Sequence, residues 1–114
     1  MSLKITKRDN GEVTVVDLSG RLTLGDASAQ LRQALRELLD GGRKKIVLNL
    51  GQVGYIDSSG LGELVSSFTT VKNNGGQLKL VNLTDKVNDL LTVTKLYTVF
   101  EIHSDEGAAV QSFR

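Results

Sequence analysis

The sequence predicts an α/β fold with a mixed β-sheet, mostly parallel with an antiparallel N-terminal edge, and helices packed mainly on one face. Two strand-like segments near the N-terminus flank Asp9-Asn10-Gly11, a turn that is typical of a hairpin. After them, short apolar segments alternate with amphipathic helical ones, which indicates parallel strands joined by right-handed crossovers. Because 114 residues suffice for one hydrophobic core, we expect a single domain over residues 1–114.

The first predicted elements are the hairpin and an amphipathic helix. Leu3–Arg8 and Val13–Ser19 are the two strands, and the second carries enough valine and leucine to bury at least one face. Thr23, with Asp26 three residues later, resembles a capping box that leads into the helix, and Gly41-Gly42 would end it. The apolar stripe of this helix consists of Ala27, Leu31, Ala34, Leu35, Leu38 and Leu39.

The rest of the chain alternates strands with helices. Lys44–Leu50 is nearly continuously apolar, as expected for a strand whose two faces are both covered. A helix begins near Ser59 or Gly60 and runs to Lys72. Its apolar face is formed by Leu61, Leu64, Val65, Phe68 and Val71. The later predicted elements are a strand Gln77–Asn82, a helix capped by Thr84-Asp85, a strand Thr98–Ile102 and a short helix that starts at Ser104.

The composition argues against several classes of function. The net charge is only +1 with mixed signs along the chain, so we expect neither nucleic-acid binding nor membrane insertion. With no cysteine and one histidine, His103, the chain has no thiol chemistry, and we expect neither a metal site nor a cofactor. Met1–Lys4 lacks the apolar character of a signal peptide, so we expect a cytoplasmic protein.

The segment Tyr55-Ile56-Asp57-Ser58-Ser59-Gly60-Leu61-Gly62 joins an apolar strand to the most strongly patterned helix. Two hydroxyls and a carboxylate therefore lie where a helix begins, beside unpaired N–H groups and the positive end of the helix dipole. One interpretation is structural, with a serine or aspartate oxygen capping the helix and stabilising it by about 1 kcal/mol. The other is a modifiable serine. The two are compatible, because one residue can cap the helix while its neighbour faces solvent.

Other chemistry at this turn is less well supported. A serine nucleophile needs a base, but His103 lies at a predicted strand end and the Gly-x-Ser-x-Gly pattern is absent, so no catalytic residue is assigned. Asp57 and Glu63 flank the turn, and we expect Glu63 to point to solvent. Gly60 and Gly62 occupy the first helical turn, where glycine lowers helix stability. Close approach of another molecule, or tight packing against the sheet, would explain them.

The chain resembles a known family at these residues. Asp57-Ser58-Ser59-Gly60-Leu61-Gly62, after the strand Ile46–Leu50, resembles the signature of STAS domains, which include anti-sigma factor antagonists and the cytoplasmic parts of sulphate transporters. Gly20-Arg21-Leu22 is similar to the family's Gly-x-Leu element, and Gly75-Gly76 precedes the next strand as in the family. The likeness covers nearly the whole chain. It implies a STAS-like fold and a regulatory binding protein that is not an enzyme.

The resemblance also implies a partner and a site. In such antagonists a serine kinase that doubles as an anti-sigma factor binds ATP and phosphorylates the first serine after the aspartate, here Ser58, with Ser59 as the nearest alternative. The unphosphorylated protein would bind this kinase and free the sigma factor, and phosphorylation would end the binding. The partner-binding residues implied by the resemblance are Thr23, Asp26, Asp57, Ser59, Gly60, Leu61 and Gly62.

One position departs from the family pattern. Kinase-regulated members commonly have Asp after the Gly-x-Leu element, whereas this chain has Thr23, and Asp26 could supply the charge from one helical turn on. The alternative function is that of a non-switching STAS scaffold subunit in a signalling or lipid-transport complex. An enzyme with serine chemistry is a third possibility, which the lack of a base near Ser58 disfavours.

Overall fold

A five-stranded sheet forms the centre of the computed structural model, which describes residues 3–113. The elements in chain order are β1 (Leu3–Asn10), β2 (Val13–Leu22), α1 (Asp26–Asp40), β3 (Lys45–Ile56), α2 (Ser58–Asn73), β4 (Gln77–Val81), α3 (Asp85–Thr94), a 3₁₀ turn (Leu96–Thr98), β5 (Glu101–His103) and α4 (Glu106–Gln111). The strand order is β1-β2-β3-β4-β5. β1 and β2 are antiparallel, and the other neighbours are parallel. This arrangement confirms the predicted mixed sheet.

The two faces of the sheet are covered unequally. Because side chains alternate along a strand, β2, β3 and β4 each send apolar residues to both faces. One face packs against α1, α2 and α3 through a large cluster that includes Leu18, Leu35, Leu48, Leu64, Leu80 and Leu91. The other face carries a smaller cluster beneath α4, formed by Val13, Val15, Val47, Val81, Ala109 and Phe113. The helices therefore lie mainly on one face, as predicted.

The hairpin and two later strands differ from the predicted bounds. Asp9 and Asn10, assigned to the turn, are the last residues of β1, so the turn itself lies at residues 11–12. The strand predicted to end at Leu50 continues to Ile56, because residues 52–56 pair with the last residues of β2 across two register shifts. The strand predicted over Thr98–Ile102 is shorter, because the 3₁₀ turn takes up residues 96–98 and only three residue pairs join β5 to β4.

A buried lysine fastens α4 to the sheet. Lys79 of β4 is only 3% exposed, and its Nζ donates to the Ser112 hydroxyl at 2.6 Å and to the Ser112 carbonyl at 3.1 Å. The same ammonium lies 2.9 Å from the Glu101 carboxylate and 4.2 Å from the centre of the Phe113 ring. Hydrogen bonds from His103 and Lys79 hold the pKa of Glu101 below its usual range. These contacts satisfy a charge that would otherwise be costly to bury.

Replacing Lys79 by methionine should loosen α4 without opening a large cavity, because the two side chains have similar apolar stems. We expect a loss of about 2 kcal/mol in the free energy of unfolding, since the Ser112 acceptors and Glu101 lose their cationic donor. Amide hydrogen exchange at Ala109 and Val110 should accelerate first. The matched variant Lys45→Met removes an exposed pair with Glu12 and should cost less than about 1 kcal/mol. Equal effects of the two variants would contradict this role of Lys79.

Candidate functional site

The predicted site lies at the edge of the sheet where β2 and β3 end and α2 begins. Asp57 is the N-cap of α2, and its Oδ1 accepts a hydrogen bond from the Gly60 amide at 2.8 Å. Its Oδ2 accepts from the Leu24 amide at 3.2 Å, and its own amide donates to the Leu22 carbonyl at 3.3 Å. Asp57 therefore caps the helix and ties its start to the loop between β2 and α1. The capping role predicted for a serine or aspartate at this turn belongs to Asp57.

The two serines of the turn are exposed. Ser58 and Ser59 are the first two residues of α2, and within residues 3–113 neither hydroxyl forms a hydrogen bond. Their backbone amides belong to the first turn, where N–H groups have no acceptor within the helix. The dipole of α2 adds partial positive charge at the same place. The turn thus presents two free hydroxyls in a setting that favours an anionic group.

The two glycines of the turn have different surroundings. A Cβ atom added to Gly60 would lie 2.0 Å from the Leu22 carbonyl oxygen and 3.1 Å from Ile56 Cγ1, so only glycine lets α2 approach the end of β2 this closely. A Cβ atom added to Gly62 would meet nothing within 4 Å. Leu61 is 5% exposed and packs in the core. Gly60 and Leu61 therefore shape the turn from beneath, whereas Gly62 lies on its surface.

Alanine at Gly62 should stabilise the domain by up to about 1 kcal/mol, because glycine has low helix propensity and the position has room for a methyl group. Urea-induced unfolding would measure the change. An unchanged or lower stability would contradict this expectation, because alanine would then fit the helix no better than glycine. A gain in stability would mean that glycine at this exposed position has a cost in the isolated domain.

The loop before α1 corrects one prediction. Thr23 and Asp26 do not form a capping box, because the N-cap of α1 is Gly25, which has φ = 97° and makes no side-chain cap hydrogen bond. Thr23 is half-buried, and its carbonyl accepts a hydrogen bond from the Ser28 hydroxyl at 3.0 Å. Asp26 is exposed in the first turn of α1. Leu24 is 76% exposed and was not predicted as a site residue. Its position in a loop bounded by glycines could have indicated that it is exposed.

Glu63 also differs from its prediction. Its side chain is 7% exposed rather than solvated, and its Oε1 lies 2.9 Å from Nη2 of Arg32 on α1. The reason is the packing of α1 alongside α2, which covers this face of the helix. Ser67, one helical turn further on, is also buried on α2, at 3% exposure. The ion pair links the two helices that follow the strands of the site.

A cationic and aromatic group of three residues lies at the same edge of the sheet. Tyr55, which is 37% exposed, pairs with Arg21 in the register of β2 and β3. The Arg21 Cζ is 4.6 Å from the centre of the Tyr55 ring, and Nζ of Lys86 on α3 is 5.4 Å from it. Sequence reasoning missed this group, because its members come from three segments that only strand pairing and helix packing bring together.

His103 lies at the end of β5, where its Nε2 is 2.7 Å from the Glu101 carboxylate. No hydrogen bond within residues 3–113 joins it to Ser58. In the same described part of the chain, no group of three or more His, Cys, Asp or Glu side chains is arranged to hold a metal ion. None of the helices between residues 3 and 113 combines the length and the apolar character needed to cross a membrane.

Known proteins resemble this chain along nearly its whole length. The anti-sigma-B factor antagonist of Bacillus subtilis strain 168 is 32% identical over 111 residues, which cover 97% of this chain and 100% of that protein. The structure of the Thermotoga maritima protein TM1081 matches with a TM-score of 0.86 and 26% identity, over 95% of this chain and 92% of that one. The Bacillus protein SpoIIAA in its phosphorylated form has the same fold, with a TM-score of 0.73 and 20% identity over 97% of this chain and 100% of that one. Residues 4–109 match the profile described as STAS domain. The chain therefore belongs to the STAS domain family.

Proposed function

We propose that this protein is an anti-sigma factor antagonist that binds a serine kinase acting as an anti-sigma factor and is switched off by phosphorylation of Ser58. The observation that carries the proposal is the free, exposed hydroxyl of Ser58 beside a helix cap that Asp57 alone provides. Because the Asp57 side chain caps the helix, Ser58 can be modified without loss of the cap. The Bacillus subtilis relative is named an anti-sigma-B factor antagonist, which supports the part of the proposal that concerns an anti-sigma factor.

The turn is suited to hold a phosphate without unfolding. Phosphorylation adds a charge of about −1.5 to −2. At Ser58 this charge would lie among the free amides of the first turn of α2, where the helix dipole favours an anion. The phosphorylated form of SpoIIAA has the same fold as this chain, which agrees with this view. We therefore propose that phosphorylation acts on the partner interface, through repulsion and bulk.

The proposed partner surface surrounds Ser58. Ser59 and Gly62 are the exposed residues of the turn, while Asp57, Gly60 and Leu61 hold its shape from within. Such a division follows from the geometry, because both Asp57 carboxylate oxygens already accept backbone hydrogen bonds. In the adjoining loop, Leu24 and Gly25 are exposed and Thr23 is half-buried, and Asp26 is exposed at the start of α1. We propose that the kinase contacts this loop and the turn together.

Ser58 is proposed as an acceptor of phosphate and not as a nucleophile of the protein's own chemistry. A catalytic serine needs a base within hydrogen-bond reach. Within residues 3–113, no hydrogen bond joins the Ser58 hydroxyl to such a group. The proposed role is therefore that of a binding protein whose partner supplies both the catalyst and the ATP.

The test is phosphate transfer from a purified anti-sigma factor kinase. The protein is incubated with the cognate kinase and magnesium ATP, and the phosphate is mapped by mass spectrometry. We expect one phosphate on Ser58, none on the Ser58→Ala variant and full labelling of Ser59→Ala, which is the matched control. Labelling confined to Ser59 would overturn the assignment. Binding of a partner without labelling would instead favour a non-switching scaffold subunit of a signalling or lipid-transport complex.

A further inference from the structure

We propose that Arg21, Tyr55 and Lys86 form a recognition surface for an acidic face of the partner protein. This surface is called the cation–tyrosine patch. The inference rests on the proposed function, because it assigns the charge of the partner surface that meets this domain beside Ser58. It extends the contact region beyond the serine turn, onto the ends of β2 and β3 and the start of α3.

The cation–tyrosine patch is assembled by the sheet topology. Arg21 and Tyr55 are the second-last residues of β2 and β3, which pair in parallel, and Lys86 follows β4 as the second residue of α3. The carboxyl ends of parallel strands share one edge of a sheet, so all three residues lie at the edge where α2 begins with Ser58. Tyr55 precedes Ser58 by only three residues. A protein that engages the Ser58 hydroxyl therefore comes within reach of the cation–tyrosine patch.

The patch carries cationic charge that the domain itself does not pair. Within residues 3–113, neither Arg21 nor Lys86 forms an ion pair. Between residues 3 and 113, ion pairs are formed by Lys7, Arg8, Arg32, Arg43, Lys45 and Lys79, and none is formed by Lys4, Arg36, Lys44, Lys72 and Lys95. Among the unpaired cations of this part of the chain, Arg21 and Lys86 are the two that lie against the same aromatic ring. Asp89 lines the hollow of about 270 Å³ beside Tyr55 and Lys86, but within residues 3–113 no ion pair joins it to Lys86 or Arg21. The surface that complements two unpaired cations is acidic.

The tyrosine ring holds the cations in place before a partner arrives. Both lie within about 6 Å of the Tyr55 ring centre, the range of cation–π attraction. Fixing long side chains in advance lowers the conformational entropy lost on binding. Val93, which lines the same hollow, is 78% exposed and adds an apolar border. Exposed tyrosine and arginine beside an apolar border are typical of residues that dominate binding energy at interfaces.

Charge reversal tests the patch against the kinase that labels Ser58. Association and dissociation rates are measured at low and at high salt for Arg21→Glu, Lys86→Glu and the control Lys45→Glu, which makes the same charge change at the opposite end of β3. We expect each patch variant to bind about tenfold more weakly, mainly through slower association, with the difference shrinking at high salt. The control should stay within about twofold of the wild type. Equal losses in all three variants, or none, would overturn the proposal.

A second measurement separates this inference from the proposed function. Amide NMR spectra of the domain are recorded with a deca-glutamate peptide and with a deca-lysine peptide. Shifts centred on Arg21, Tyr55 and Lys86 with the acidic peptide alone would support the patch, even if no kinase labels Ser58. The same spectra show whether each variant keeps its fold. Shifts spread over all lysines, or centred on the Lys45 end of the sheet, would overturn the assignment.

Discussion

Alanine at Gly60 should destabilise the domain by about 3 kcal/mol, because the added Cβ would lie 2.0 Å from the Leu22 carbonyl oxygen and 2.8 Å from the Leu22 carbonyl carbon. These are backbone atoms, which cannot rotate away as a flexible side chain could. The start of α2 must therefore move off the end of β2. That movement weakens the hydrogen bond between the Leu24 amide and Asp57. Urea-induced unfolding, followed by circular dichroism, would measure the loss.

The matched control is Gly62→Ala, two residues further along the same helix. Alanine gains the same helix propensity at both positions, so the difference between the variants isolates the close approach at Gly60. We expect opposite signs, with Gly60→Ala less stable than the wild type and Gly62→Ala more stable. If Gly60→Ala were as stable as the wild type, the contact between α2 and the end of β2 would not limit the residue at this position.

The phosphomimetic variant Ser58→Asp should lose partner binding and keep its fold. A second carboxylate beside Asp57 places repulsion in the proposed interface, which we expect to weaken kinase binding by about 2 kcal/mol or more, or about thirtyfold. Aspartate near the start of a helix is compatible with the dipole, so the helical signal should be unchanged. Calorimetric titration with the kinase and circular dichroism of the free variant measure the two expectations.

Two further variants sharpen this test. Ser58→Ala should bind the kinase about as well as the wild type but accept no phosphate, since it removes only a hydroxyl that forms no hydrogen bond within residues 3–113. Ser59→Asp adds the same charge one residue later. Comparing its kinase affinity with that of Ser58→Asp shows whether the effect is specific to position 58. A Ser58→Asp variant that melts or loses helical signal would contradict the view that the switch acts on the interface.

The fold could be predicted from the sequence because its signals are local. The alternation of apolar and polar residues identified the strands and the amphipathic helices, and the polar turn identified the hairpin. The far half of β3 escaped prediction, since Gln52 and Gly54 interrupt its apolar pattern. Those residues are part of a strand because the end of β2 supplies their hydrogen-bond partners. That pairing joins segments far apart in the sequence, so the local pattern does not reveal it.

The site was predictable in position but not in its details. The motif around Ser58 located the helix start, and the helix cap was anticipated in kind, with Asp57 as the residue that fills it. The burial of Glu63 was missed, because it depends on α1 lying against α2. The grouping of Tyr55 with Arg21 was missed for the same reason, as it needs the strand register. Contacts within one segment could be read from the chain, and contacts between segments could not.

Asp57 is held by hydrogen bonds to four backbone groups within residues 3–113. Its amide donates to the Leu22 carbonyl, its carboxylate accepts from the Leu24 and Gly60 amides, and its carbonyl accepts from the Leu61 amide. The backbone around Ser58 is consequently held in one conformation before any enzyme binds. A modification site in a flexible segment can adapt to the active-site cleft of the enzyme. The residues adjacent in sequence then determine which enzyme modifies it. Here the active-site cleft of the kinase would have to accept the turn between β3 and α2 in its folded conformation. Recognition of Ser58 would then depend on the surface shape of the folded domain more than on the residues adjacent to Ser58 in sequence.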